Sequence, residues 1–151
     1  MVREEDCLVS KLVQSNGDDH PEAAAKNLED SRTLLVAGHS DGSGYLAGYV
    51  VECVLKTLLL AEKGVAMKSH DLAALSSRAL LVVSTAGSVT GRHLTPASLT
   101  SGIGSVTAGW KETIRYRPSG AVSAQAAQVW LDEADVLFRT VVEPLWLDGV
   151  L

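Results

Sequence analysis

The sequence lacks the residues that several common kinds of functional site require. It has two cysteines, Cys7 and Cys53, which are 46 positions apart and belong to no CxxC or Cys/His cluster. A disulfide scaffold and a zinc site are therefore disfavoured. The GIGSVTAG stretch at 102–109 lacks the GxGxxG spacing of a dinucleotide-binding loop and follows no predicted strand. We expect neither a metal nor a bound cofactor.

Aromatic residues are also scarce, at 5% of the 151-residue chain, so leucine, valine and alanine must supply most of the core. The 46% of hydrophobic and 21% of charged residues are typical of one soluble globular domain. The first residues, MVREEDCLVSKLVQ, carry acids where a signal peptide has its apolar stretch, which predicts a cytoplasmic protein. We expect a flexible or loosely packed extension at 1–20, one domain at 21–146 and a tail at 147–151.

One long apolar run, SGYLAGYVVECVLKTLL at 43–59, has two charges in its middle, Glu52 and Lys56. A lysine at the centre of a bilayer costs roughly 2.5–3.5 kcal/mol, so we do not expect this run to span a membrane. The run is apolar on nearly every side, which predicts a helix surrounded by other helices.

Helical periodicity dominates the sequence and predicts an all-α fold. Short connections between long helices favour a four- or five-helix antiparallel bundle. The only candidate strand is LLVVS at 80–84, which has no hairpin partner. The predicted helices begin near Pro21, cover about 43–62, begin again at Ser69 or Asp71, and cover about 97–113 and 121–144. In the last helix the predicted buried stripe is Val122, Ala126, Val129, Ala134, Leu137, Val141 and Leu145.

Charge is divided unevenly along the chain, whose net charge is −5. Residues 1–62 have 5 basic and 11 acidic side chains, 63–118 have 7 and 2, and 119–151 have 1 and 5. The middle third is therefore the candidate anion-binding surface, unless its cations pair with the acidic ends. Its basic residues are Lys63, Lys68, Arg78, Arg92, Lys111, Arg115 and Arg117.

Glu52 and Lys56 are spaced i,i+4 with the acid first, which is the favourable order on a helix. Charges in a buried helix need partners, because desolvation otherwise outweighs their attraction. We expect Arg115 to pair with Glu52 and Asp71 to pair with Lys56, and Tyr116 could donate to Glu52. These residues would form a polar seam across the bundle.

The segment YLAGYVVECVLKTLL, the HDL at 70–72, a following W, the RY at 115–116 and a long C-terminal amphipathic helix resemble the HEPN domain family. The resemblance covers about residues 22–145. It implies a small all-α prokaryotic domain, usually a homodimer. Many such domains belong to toxin–antitoxin and phage-defence systems, often beside a minimal nucleotidyltransferase. We therefore expect a homodimer and consider a small nucleotidyltransferase-type antitoxin as a partner.

The resemblance also suggests a chemistry. Active HEPN ribonucleases use an arginine followed by four to six residues and a histidine, in which the histidine transfers protons and the arginine holds the phosphate without a metal. This chain has no histidine after His93, and its one match is Arg32 with His39. On a continuous helix these two residues would lie about 10 Å apart along the axis.

Two other clusters are candidate binding sites. Lys68 and His70 precede a predicted helix start and would contact a phosphate there, unless His70 and Asp71 only cap the helix. Basic and aromatic residues alternate in the second cluster as they do in nucleic-acid sites, unless its arginine pairs with Glu52. The second cluster is Lys111, Arg115, Tyr116 and Arg117.

Our first hypothesis is a non-catalytic or degenerate HEPN-like domain that binds RNA, a nucleotide or a protein partner in a defence or toxin–antitoxin context. The alternatives are a metal-independent ribonuclease toxin and a purely structural dimerisation module.

Overall fold

The computed structural model describes residues 9–85 and 87–151, and within these it is all-helical. Residues 1–8, and with them Cys7, lie outside the described part. Four long helices and two short ones follow in order, which confirms the all-α fold and the helical bundle. They are α1 (His20–Val36), α2 (Ser40–Lys63), α3 (Leu72–Val83), α4 (Pro96–Gly102), α5 (Gly104–Gly109) and α6 (Ala124–Leu147).

Helix α2 is the centre of the bundle and contacts α1, α3 and α6. It is long and apolar enough to cross a membrane by length and composition alone, but 72% of its most apolar window is buried inside the protein. Its apolar character is therefore explained by its neighbours. The connection to α1 is only Ala37–His39, so the two helices pack antiparallel.

Helix α1 begins as its sequence predicts. The carboxylate of Asp19 accepts from the backbone N–H of Glu22, and Pro21 lies in the first turn. The segment before it is tied to this cap, because the hydroxyl and N–H of Ser10 both donate to Asp19 at 2.7 Å. At the other end of the chain, Gly149 accepts from Lys11.

The candidate strand at 80–84 is wrong, since Leu80–Val83 forms the last turn of α3. Five residues of α3 are buried in the core at helical spacing, namely Leu72, Leu75, Ala79, Val82 and Val83. Burial of this face stabilises the helix although its end is rich in β-branched valines.

The helix predicted at about 97–113 is broken. Ile103 separates α4 from α5, and Glu112–Tyr116 forms a 3-10 turn. Glycines on both sides of Ile103 weaken the helix there, while the buried Ile103 side chain anchors the break in the core. Glu133 of α6 then accepts from the N–H groups of Ser105 and Val106 and caps α5.

The stripe predicted for α6 is correct at Val122 and from Ala134 onward, and wrong at Val129. Val129 is 38% exposed, whereas Ala127 and Trp130 are buried. The helix also continues through Pro144 to Leu147, three residues beyond its predicted end, because Leu145 is fully buried in the core and stabilises the last turn.

Candidate functional site

The two charges of α2 are buried and belong to a cluster of three residues. Lys56 Nζ donates to Glu52 Oε1 at 2.7 Å, and His70 Nδ1 lies 3.1 Å from Oε1 and 3.0 Å from Oε2 of the same carboxylate. Only 4% of the Glu52 side chain and 8% of the Lys56 side chain are exposed, against 54% for His70. An ionised carboxylate only accepts hydrogen bonds, so His70 has its proton on Nδ1. Nε2 is then the ring nitrogen that remains for another partner.

Three expected contacts of the polar seam are wrong. Arg115 is exposed and donates to the hydroxyl of Tyr45 at 3.3 Å instead of pairing with Glu52. Tyr116 is 73% exposed and does not reach the buried carboxylate. Asp71 caps α3 by accepting from the N–H groups of the next helical turn at 3.0 and 3.1 Å. His70, from the loop before α3, takes the place predicted for Arg115.

The exposed side of His70 lines an open cleft of about 550 Å³. The cleft lies between the start of α3 and the segment that follows α5. It brings together His70, Lys68 and Lys111, three of the residues that the sequence analysis assigned to binding. The other lining residues are Ser69, Asp71, Leu72, Ala73, Thr107, Trp110 and Glu112.

Trp110 forms the aromatic floor of this region and was not predicted as a site residue. It is 3% exposed, its indole N–H donates to the Tyr45 carbonyl at 3.0 Å, and its ring packs edge-on against Tyr49 at 5.1 Å. A Cβ on Gly48 would lie 2.1 Å from the Trp110 indole nitrogen, so only glycine allows this packing. The signal in the sequence was the glycine within LAGY, on an otherwise large-residue helix face.

Next to the cleft, an arginine and a tyrosine form an exposed stacked pair. The Arg115 guanidinium lies 4.8 Å from the centre of the Tyr116 ring. Its hydrogen bond to Tyr45, followed by that to Tyr116, raises the pKa of Arg115 above its usual range. Arg117 is exposed beside them. Such a pair presents a charged, flat surface to a nucleic-acid base or phosphate.

Among the described residues, the positive charges of the middle third are not neutralised by ion pairs. Within residues 9–85 and 87–151, the ion pairs formed by lysine and arginine involve only Arg32, Lys56 and Arg139. None of the seven cations at 63–118 pairs with a carboxylate among these described residues. Their field is therefore available to an external anion.

Arg32 and His39 do not share a helix, because α1 ends at Val36 and Gly38 turns the chain with a φ of +84°. The Arg32 guanidinium pairs with Asp135 of α6 and lies 3.7 Å from Glu29. His39 is exposed in the connection to α2. The predicted separation of about 10 Å along the axis of one continuous helix therefore does not apply to Arg32 and His39.

The described residues offer little for metal or thiol chemistry. No three His, Cys, Asp or Glu residues of the described chain lie together as metal ligands. Cys53 is buried, and burial, followed by the charge of Glu52, raises the pKa of its thiol to about 12. A thiol held in this form is a poor nucleophile.

Comparison with known proteins gives one family. Searches of curated proteins and of solved structures found no match. The family model for the HEPN domain matches residues 18–143, which span α1 through most of α6 and include the Glu52–Lys56–His70 cluster. The chain therefore belongs to the HEPN domain family.

Proposed function

We propose that this HEPN domain binds RNA, without cleaving it, through the cleft at His70 and the adjoining Arg115–Tyr116 pair. The observation that carries the proposal is the convergence of Lys68, His70 and Lys111 on one open cleft of about 550 Å³. Neither Lys68 nor Lys111 pairs with a carboxylate among the residues that the structure describes, which supports the proposal. Lysine ammonium groups neutralise phosphates, and the stacked Arg115 and Tyr116 suit an unpaired base.

The test is fluorescence anisotropy with a labelled single-stranded oligoribonucleotide, titrated between about 50 and 200 mM salt. Lys111→Gln should weaken binding and reduce the slope of log K against log salt by about 1, since one phosphate contact is lost. Arg115→Gln should weaken binding as well. Lys26→Gln removes an exposed lysine from α1, outside the middle third, and is the matched control.

Two results would contradict the proposal. One is no binding by the folded protein at the lowest salt, and the other is an equal loss of affinity in Lys26→Gln and Lys111→Gln. The first would favour a purely structural dimerisation module or a domain that binds a protein partner.

A second candidate function, a metal-independent ribonuclease, is favoured by the contact between Glu52 and His70. A carboxylate on Nδ1 orients the imidazole so that Nε2 can accept the proton of a ribose 2′-hydroxyl. The 2′-oxygen would then bond to phosphorus as the bond from phosphorus to the 5′-oxygen breaks, and water would protonate the leaving oxygen. Cleavage of a mixed RNA in the presence of a chelator tests this function. His70→Ala should abolish cleavage, whereas loss in His39→Ala or Arg32→Ala would assign it to that pair.

We further propose that the domain is a cytoplasmic homodimer in a prokaryotic defence or toxin–antitoxin system, with a small nucleotidyltransferase-type protein as its partner. The support for this context is membership of the HEPN family alone. Light scattering on the purified protein at micromolar concentration tests the dimer, and a monomeric mass would contradict it.

A further inference from the structure

A second cavity shares Lys68 and His70 with the cleft and extends from them to the segment before α1. Its volume is about 280 Å³, roughly half that of the cleft. The segment before α1, the buried Lys56 and the loop before α3 form its walls. Its lining residues are Gln14, Asn16, Asp18, His20, Lys56, Ala66, Met67, Lys68 and His70. We propose that this cavity binds a small oxyanion of about the size of phosphate, held by Lys56 and Gln14.

Lys56 has more hydrogen-bond donors than its surroundings use. Its side chain is 8% exposed, and an ammonium group has three N–H donors. Among the described residues, Glu52 is its one hydrogen-bond partner, at 2.7 Å. Two donors of a buried cation therefore remain, and the residue lines the cavity. An oxyanion would satisfy them at the short distances of charge-assisted hydrogen bonds.

Gln14 supplies a second donor that is unused. Its Nε2 atom is buried without a hydrogen-bond partner in the part of the chain that the structure describes. A buried amide left in this way costs about 1–3 kcal/mol, so a ligand oxygen that accepts from it would remove the penalty. Buried polar atoms without protein partners commonly mark the position of a water or an ion.

Two other polar residues of the same cavity are hydrogen-bonded to each other. Asn16 Nδ2 donates to the Asp18 carboxylate at 3.0 Å, and Asn16 Oδ1 accepts from the Asp18 N–H at 3.0 Å. Burial, followed by the charge of Lys56, lowers the pKa of His20, so its ring is a neutral donor or acceptor at pH 7. Within the described residues, Lys56 and Gln14 thus offer unused donors to the cavity, which favours a ligand that accepts hydrogen bonds.

The size of the cavity restricts the ligand further. Sites for drug-sized ligands have volumes of about 300–1,000 Å³, so about 280 Å³ suits a small ion or the anionic group of a small molecule. A polynucleotide fits the larger cleft instead. The two sites share Lys68 and His70, but only the second contains Lys56 and Gln14.

The experiment is a phosphate titration at pH 7.5 and constant ionic strength, with chloride as the replaced ion. Bound phosphate should raise the thermal midpoint in a saturable way and shift the Gln14 side-chain amide resonances in a ¹H–¹⁵N spectrum. Gln14→Leu should weaken phosphate binding about ten-fold, as expected for one lost hydrogen bond to an anion. Lys111→Gln, which changes only the RNA cleft, should leave phosphate binding unchanged.

Each contrary outcome is decisive. No saturable shift of the wild-type midpoint and amide signals, or unchanged binding in Gln14→Leu, would overturn the proposal. A loss in Lys111→Gln alone would assign the phosphate to the RNA cleft. If Gln14→Leu does not fold, the wild-type Gln14 resonances still give the answer. Failure of RNA binding with retained phosphate binding would refute only the proposed function.

Discussion

His70 Nδ1 lies 3.0 Å from Oε2 of Glu52, so a residue at the edge of an open cleft is fixed by the most buried helix of the bundle. This contact explains why a core helix contains two charges. Lys56 compensates the Glu52 carboxylate inside the protein, and the carboxylate orients His70 at the surface. The stability of the core and the geometry of the cleft therefore depend on the same group.

Removing one member of the buried ion pair should be strongly destabilising. Glu52→Gln leaves the Lys56 ammonium without a counter-charge, and Lys56→Met leaves the Glu52 carboxylate without its ammonium partner. We expect each variant to lower the free energy of unfolding by about 3 kcal/mol, as measured by urea denaturation. A loss below about 1 kcal/mol for both would show that the pair is solvated rather than buried.

The double variant Glu52→Gln with Lys56→Met distinguishes the pair from two independent contributions. Because neither buried charge remains, its loss should be smaller than the sum of the single losses by about 0.5–3 kcal/mol. Strict additivity would contradict the direct contact of 2.7 Å.

Gly48→Ala should disrupt the packing of Trp110. The added Cβ would lie 2.1 Å from the indole nitrogen, and both α2 and the indole are fixed by neighbouring side chains. We expect a loss of about 2–3 kcal/mol in unfolding free energy and a change in tryptophan fluorescence. Gly102→Ala, with no atom within 4 Å of the added Cβ, is the matched control and should be neutral or slightly stabilising. Equal behaviour of the two variants would contradict the close packing at Gly48.

The position of His20 gives stability a pH dependence. Burial, followed by the charge of Lys56, lowers its pKa below the usual 6.5, while Asp18, Glu52 and Asp19 oppose that shift. The unfolded chain therefore takes up a proton at a higher pH than the folded protein does. The stability contributed by neutral His20 is complete above about pH 6.5 and decreases as the pH falls through 6.5 towards the folded value.

This dependence should become shallower in His20→Gln. The measurement is the free energy of unfolding from urea denaturation between about pH 5 and 8. For one proton, this free energy cannot change by more than about 1.4 kcal/mol per pH unit. His39→Gln removes an exposed histidine in the same half of the chain and is the control. Identical slopes for wild type and His20→Gln would contradict the assignment.

The sequence predicts the long helices well because the hydrophobic pattern and the helical periodicity are local properties of the sequence. The cap of α1 at Asp19 and the apolar character of α2 are both visible in short windows of sequence. The break at Ile103 is not, since it depends on a buried side chain and on a cap from Glu133, 28 residues beyond the N–H of Ser105. Helix propensity predicts a weak helix there, but it does not predict the division into α4 and α5.

The candidate site was predicted in part. The predicted helix start identified Lys68 and His70, and the alternation of basic and aromatic residues identified Lys111; the fold brings all three to one cleft. The predicted partner of Glu52, Arg115, is wrong. His70 is the partner because the loop after α2 returns along that helix, a tertiary arrangement that side-chain spacing does not encode. Gln14 was not predicted as a site residue, because it is uncharged and its position in the cavity is also a tertiary arrangement.

Asp41 should stabilise the fold by holding the loop before α6. Its carboxylate accepts from the N–H of Gly120 at 2.7 Å and from the N–H of Val122 at 2.8 Å, across 79 and 81 residues of sequence. These two hydrogen bonds lower the pKa of Asp41 below its usual 3.8. The associated stability is present above about pH 3.8 and is lost as the pH falls through the lower, folded value.

Asp41→Asn can keep only one of these hydrogen bonds, because its Nδ2 is itself a donor and faces the second N–H. We expect its free energy of unfolding at pH 7 to be about 1–2 kcal/mol below that of the wild type. The difference should shrink below about pH 4, where the Asp41 carboxylate of the unfolded wild-type chain becomes protonated before that of the folded protein. Asp30→Asn, at an exposed position of α1, is the matched control. A deficit in Asp41→Asn that is the same at pH 7 and pH 3 would mean that the charge of Asp41 plays no part in holding the loop.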